Sequence, residues 1–129
     1  MKADSRLGIW MDHNEARLVE FSEEKKEIHV IYRDEKDADN NSRHRSEKHS
    51  NNKARHSQEA FYDQLWMIAR DYEEVLLFGP TDAKIELFNR IRASRANDGI
   101  KITLRNTDKM STGQMHEFVY KYFKPILLP

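Results

Sequence analysis

The chain contains no cysteine, which excludes disulfides, thiolate metal sites and cysteine nucleophiles. It has no excess of charge of either sign. Twenty-two Lys and Arg stand against 22 Asp and Glu in 129 residues, so no global field steers it toward nucleic acid or a membrane. It has no apolar run long enough to span a bilayer, and residues 1–6 lead into a strand-like stretch rather than a signal-peptide core. Glycine (four) and proline (three) are scarce, so each marks a specific place in the chain. Hydrophobic residues are the most unevenly missing: between 33 and 57 only Ala38 and Ala54 qualify. A stretch this polar cannot bury enough surface to offset its ordering entropy. The sequence therefore predicts a soluble, cytoplasmic single domain over 1–129, interrupted by a disordered polar and basic loop at 33–57, with no cofactor called for.

Outside that loop the periodicities are clear. Residues 7–12 form a short apolar run, and residues 15–21 alternate. Asp12-His13-Asn14-Glu15 between them is turn-prone, since Asp and Asn bond their own backbone. Ile28, Val30 and Tyr32 alternate with His29 and Ile31, which makes a third strand and an antiparallel meander. Ser57 is placed to cap a helix over 58–72, with Phe61, Leu65, Ile68 and Tyr72 on one face. The continuous apolar run 75–78, closed by Gly79-Pro80, reads as a central parallel strand buried on both faces. Thr81 opens a second helix, to about residue 95, with Ala83, Leu87, Phe88 and Ile91 inward. Ile100, Ile102 and Leu104 mark a half-exposed edge strand. Ser111 opens a last helix carrying Met115, Phe118, Val119 and Tyr122, and Pro125 is expected to stop it. The order β-β-β-α-β-α-β-α predicts an α/β domain with a mixed five-stranded sheet, helices on its faces and the topology of the ribonuclease-H-like fold.

Within the polar loop the charge is segregated. Residues 43–56 carry five Arg and Lys, one Glu and three His. Arg43, His44, Arg45, Lys48, His49, Lys53, Arg55 and His56 are the candidate nucleic-acid-binding residues. Each cation among them can displace a phosphate counterion, and with no aromatic interleaved the contact would be blind to sequence. The three histidines are spaced by 5 and 7, which does not stack them on a helix face for metal. Asp12, Glu59, Asp63 and Asp82 are the carboxylates that a ribonuclease-H-like sheet would bring near one another, and they define the alternative of a metal-dependent nuclease. The simpler reading makes Asp12 a turn residue and Asp82 a helix-start residue favourable to the dipole. Thr112-Gly113-Gln114 sits inside a capping box, in which Ser111 bonds the N3 amide and Gln114 reaches back. Arg90, Arg92 and Arg95 read as a solvated helix end. Trp66 and Met67 give the first helix a second apolar side that would suit a homodimer in a structural protein without nucleic acid, the third reading.

Three stretches together resemble small bacterial proteins related to the middle domain of the eukaryotic and archaeal peptide chain release factor and of Pelota. They are the hairpin Gly8-Ile9-Trp10-Met11-Asp12-His13-Asn14-Glu15-Ala16, the strand and turn Val75-Leu76-Leu77-Phe78-Gly79-Pro80-Thr81-Asp82-Ala83-Lys84, and Ser111-Thr112-Gly113-Gln114 with its helix. The resemblance implies a ribonuclease-H-like translational machinery component. Release factors carry Gly-Gly-Gln between the third strand and first helix, where it promotes peptidyl-tRNA hydrolysis. The corresponding stretch here, 33–57, has no glycine. Pelota-type middle domains also lack Gly-Gly-Gln and act in ribosome rescue without hydrolysis. The resemblance thus implies a non-catalytic domain with the ribosome or RNA as partner and no membrane.

Overall fold

A computed structural model describes residues 5–24, 27–34, 47–94 and 99–127. The elements run β1 (Arg6–Met11), β2 (Glu15–Glu20), β3 (His29–Tyr32), α1 (Glu47–Ala69), β4 (Glu74–Gly79), α2 (Ala83–Ala93), β5 (Lys101–Asn106) and α3 (Thr112–Leu127). The sheet order is β3-β2-β1-β4-β5. The first three strands pair antiparallel and β1, β4 and β5 pair parallel. This is the mixed, ribonuclease-H-like α/β sheet expected from the element order.

The topology decides where the helices lie. Both crossovers, β3-α1-β4 and β4-α2-β5, move the same way across the sheet, so right-handed connection puts α1 and α2 on one face. Alternating side chains follow suit. Leu7, Ile9 and Met11 of β1 and Val75 and Leu77 of β4 pack against Phe61, Leu65, Leu87 and Ile91. Trp10, Val19, Leu76 and Phe78 face the other way, onto Met115, Val119 and Phe123 of α3. β4 is buried on both faces between β1 and β5, which is why it reads as an unbroken apolar run.

Two glycines are set by this packing. A Cβ on Gly8 would stand 2.3 Å from Val119 Cγ2, so its absence lets α3 lie close on β1. Gly79 has φ +151°, and a Cβ there would meet the Met11 carbonyl oxygen at 2.2 Å.

The bounds of all three helices differ from expectation. α1 begins at Glu47, eleven residues before the expected start at 58, and ends at Ala69 rather than at 72. Ser57 is therefore mid-helix, not an N-cap. The first turns have few apolar residues and so no hydrophobic period to see. Propagation from the packed second half needs only one hydrogen bond per residue, however, and Glu, Lys, Ala and Arg suit it. The expected loop thus gives way to helix from 47 on, while residues 35–46 lie outside the described residues. α2 opens at Ala83 with Asp82 at the cap, and the Thr81 hydroxyl accepts from the Ala83 amide at 3.2 Å. Pro125 does not stop α3, which runs on to Leu127. The proline removes one amide from the last turn without ending it.

Candidate functional site

The basic candidates divide by place. Arg43, His44 and Arg45 lie outside the described residues. The backbone of Lys48 and His49 is in the first turn of α1, and Lys53, Arg55 and His56 follow on its next two turns. Arg55 and His56 are exposed and Lys53 is half-buried. Helical spacing aligns Arg55 and Glu59 in one row, and Lys53, His56 and Asp63 in the next. Each row is basic at its start and acidic where it reaches α2.

α1 is anchored just after these basic turns. Arg33, following β3, donates from Nε to Ser57 Oγ at 3.1 Å and from Nη1 to Gln58 Oε1 at 3.2 Å. Ser57 Oγ donates to the Asp34 carbonyl, and Gln58 Nε2 donates to the His13 carbonyl at 3.1 Å. The polar residues read as helix-starting or structureless in the sequence are those that tie α1 to the ends of β1 and β3.

One turn further on, Tyr62 donates its hydroxyl to Glu86 Oε1 at 2.6 Å, and His13 Nε2 donates to Glu86 Oε2 at 3.2 Å. Burial, then the Glu86 carboxylate, pushes the Tyr62 phenol far above its ordinary range. Burial works against charge on Glu86, but the bonds from Tyr62 and His13 outweigh it, and the carboxyl titrates below its usual value. A phenol that stays protonated and a carboxylate with both oxygens engaged are poorly suited to proton transfer. The trio braces α1 to α2 and to the first hairpin. Sequence reasoning missed it because Tyr62 flanks the apolar stripe rather than lying on it, and His13 and Glu86 are 73 residues apart.

The four carboxylates of the nuclease alternative have structural partners or positions. Asp12 Oδ1 accepts from the amides of Asn14 at 2.8 Å and Glu15 at 2.9 Å, the turn role expected of it. Asp82 caps α2 by position without a side-chain cap bond. Asp63 takes a two-pronged bond from Arg90, Nε to Oδ1 at 2.7 Å and Nη2 to Oδ2 at 3.0 Å, and Glu59 accepts from Arg90 Nη1 at 3.3 Å. Arg90 is therefore a clamp between α1 and α2, not a purely solvated helix-end cation. Its guanidinium holds the Asp63 carboxyl below the usual range. Among the described residues no three His, Asp or Glu side chains are grouped to hold a metal ion.

The remaining candidates fall as follows. Ser111 and Gln114 form the expected capping box, with Ser111 N donating to Gln114 Oε1 at 2.8 Å and Gln114 N to Ser111 Oγ at 3.2 Å. Met67 is 55% exposed, while Trp66 is half-buried in the groove between α1 and α2. Lys84, which sequence reasoning passed over, is buried, its Nζ donating to the Thr81 carbonyl at 2.6 Å. No helix among the described residues is long and apolar enough to cross a membrane.

No family model and no curated protein sequence matches the chain. Among solved structures, the crystal structure of the Thermoplasma acidophilum Pelota protein is similar to it, with a TM-score of 0.55 and 14% sequence identity over 89% of this chain. The chain spans 31% of that protein, and at this identity the likeness is one of fold: the domain is Pelota-like in architecture.

Proposed function

We propose that this is a non-catalytic, translation-factor-like domain that contacts the ribosome or another RNA through the basic residues of segment 43–56. The observation that carries the reading is the joint occurrence of a Pelota-like fold and a glycine-free stretch after β3 whose basic residues run on into the first turns of α1. That junction is where the resembled release factors carry their Gly-Gly-Gln. Arg43, His44, Arg45, Lys48, His49, Lys53, Arg55 and His56 are the contact residues, and the anchors from Arg33 and His13 hold the middle of the helix that carries the last five. Phosphate contacts of this kind position a protein without reading sequence. The role needs no cofactor and belongs in the cytoplasm, with ribosomes.

Co-sedimentation tests it. The protein should pellet with ribosomes from lysate at low salt and leave them at high salt, because the contact is counterion-driven. Purified ribosome complexes should release no peptide above background. A protein that stays in the supernatant at every salt concentration would refute the ribosomal reading. Peptide release lost on Gln114→Ala would make Thr112-Gly113-Gln114 a functional motif rather than a cap.

A further inference from the structure

The sheet has two edges, β3 and β5, and only one is guarded. On β5, Lys101 and Arg105 are exposed. The amides of Lys101 and Thr107 bond Glu73 and Gly79 on the β4 side, so the alternate residues, Leu104 among them, turn their carbonyls outward. Arg105 Nη1 donates to the Leu104 carbonyl at 2.9 Å. Cations and a guanidinium folded onto the backbone blunt this edge against pairing.

β3 has no such guard. It consists of His29, Val30, Ile31 and Tyr32, and Tyr32 is 65% exposed. Arg33 N donates to the Asn14 carbonyl at 2.8 Å, which sets the phase of the ladder: Ile31 and His29 bond β2, while the amides and carbonyls of Val30 and Tyr32 point outward. Those outward groups have no backbone partner among the described residues. Under the same edge, on the α1 side, is a cavity of about 600 Å³ lined by Leu7, Leu18, Ile31, Ile68 and Tyr72, with His29 on its β3 side. Free strand-edge groups beside an apolar cavity are what strand addition uses.

We infer that β3 pairs antiparallel with β3 of a second copy of this chain, joining two five-stranded sheets into one. The edge is complementary to itself. A two-fold axis at Val30 matches the phase of the outward groups: Val30 exchanges bonds with the partner's Val30, and Tyr32 with the partner's Ile28. The same axis sets Glu27 opposite the partner's Arg33 at both ends, and opposite charges directly across a strand pair favour it. Glu27 is exposed, and Arg33 bonds the neutral Ser57 and Gln58 and meets no carboxylate among the described residues. The partner's Ile31 comes opposite His29, over the cavity. A net charge of zero adds no long-range repulsion between copies. Such a contact closes on itself, and the guarded β5 edge stops growth beyond the dimer. With four strand residues a side it is small, of the class that associates reversibly. None of residues 43–56 takes part.

Sedimentation velocity of the full chain from about 10 μM to about 1 mM should show monomer passing to dimer, with nothing larger. Over the same range the amides of Val30 and Tyr32 should gain protection from exchange while that of Ile31 keeps its own. Val30→Pro removes an outward donor without touching the β2 ladder, and Glu27→Arg sets like charges opposite each other. Each should weaken dimerisation by about tenfold or more, whereas Met67→Glu, on the exposed side of α1, should leave it unchanged. Should Val30→Pro lower the urea midpoint of the monomer, Glu27→Arg carries the test, since its side chain is exposed. A monomer at every concentration, species larger than the dimer, a dimer indifferent to both β3 changes, or one lost on Met67→Glu would overturn the assignment.

Discussion

At the scale of single residues, close approach and hydrogen bonding set the strongest constraints. Gly79→Ala forces a Cβ onto the backbone oxygen of Met11 at a positive φ, whereas Gly8→Ala meets the Val119 side chain. Overpacking of the second kind costs about 1–3 kcal/mol. Because backbone cannot step aside as a side chain can, Gly79→Ala should cost more. Urea unfolding of the two variants orders them, and equal midpoints would contradict the packing described. The carboxylates give a signed pH effect. Asp63 and Glu86 both titrate below their ordinary values of 3.8 and 4.5. The stability each contributes is therefore present above those values and is lost as pH falls through the lower folded-state values. The destabilisation caused by Tyr62→Phe, about 1 kcal/mol at neutral pH for a bond to a half-exposed partner, should shrink as Glu86 protonates. Denaturation of wild type and variant at pH 7 and pH 3 measures it, and a gap that widens in acid would contradict the assignment. Of these residues the sequence made Asp12 legible, because an Asx turn is local. The Tyr62–Glu86–His13 and Asp63–Arg90 contacts were not legible, because they depend on how α1 lies against α2.

At the scale of elements, what the sequence reveals depends on whether an element buries one face. The strands and the second half of α1 show their period because their neighbours make them do so: β4 reads as a run, and β2 and β5 as alternations. The first turns of α1 contain few apolar residues, so they leave no period, and polarity there looks like disorder although Glu47–Ala69 is one helix. Ala54→Gly should accordingly cost no more than about 1 kcal/mol, the intrinsic propensity difference, and amide exchange should be faster in the turns before the Ser57 and Gln58 anchor than in those after it. Equal protection along the whole helix would show that the first half is packed. Caps are local enough to read directly. The reciprocal bonds of Ser111 and Gln114 are the expected pair, and Ser111→Ala should lower stability by about 1 kcal/mol by chemical denaturation. Pro125 misled because a proline in a final turn removes one bond without ending the helix.

At the scale of the whole molecule, the fold was readable because element order and handed crossovers leave few sheets open, and β3-β2-β1-β4-β5 follows from them. A net charge of zero means that any attraction for RNA must come from local segregation, basic before the Ser57 anchor and acidic where α1 meets Arg90. Function is less legible than fold, since the same sheet carries many activities and the basic residues act through charge rather than a geometric motif. The most direct test is RNA binding by fluorescence anisotropy across a salt series, for wild type and for a variant with Arg43, Arg45, Lys48, Lys53 and Arg55 all changed to Ala. Five phosphate contacts to a single strand give a log–log salt slope of about −3.5, and each single change should flatten it by about 0.7, alike for unrelated RNA sequences. The five-fold variant should lose most of the binding. Superimposable curves for the two proteins would contradict RNA contact through this segment.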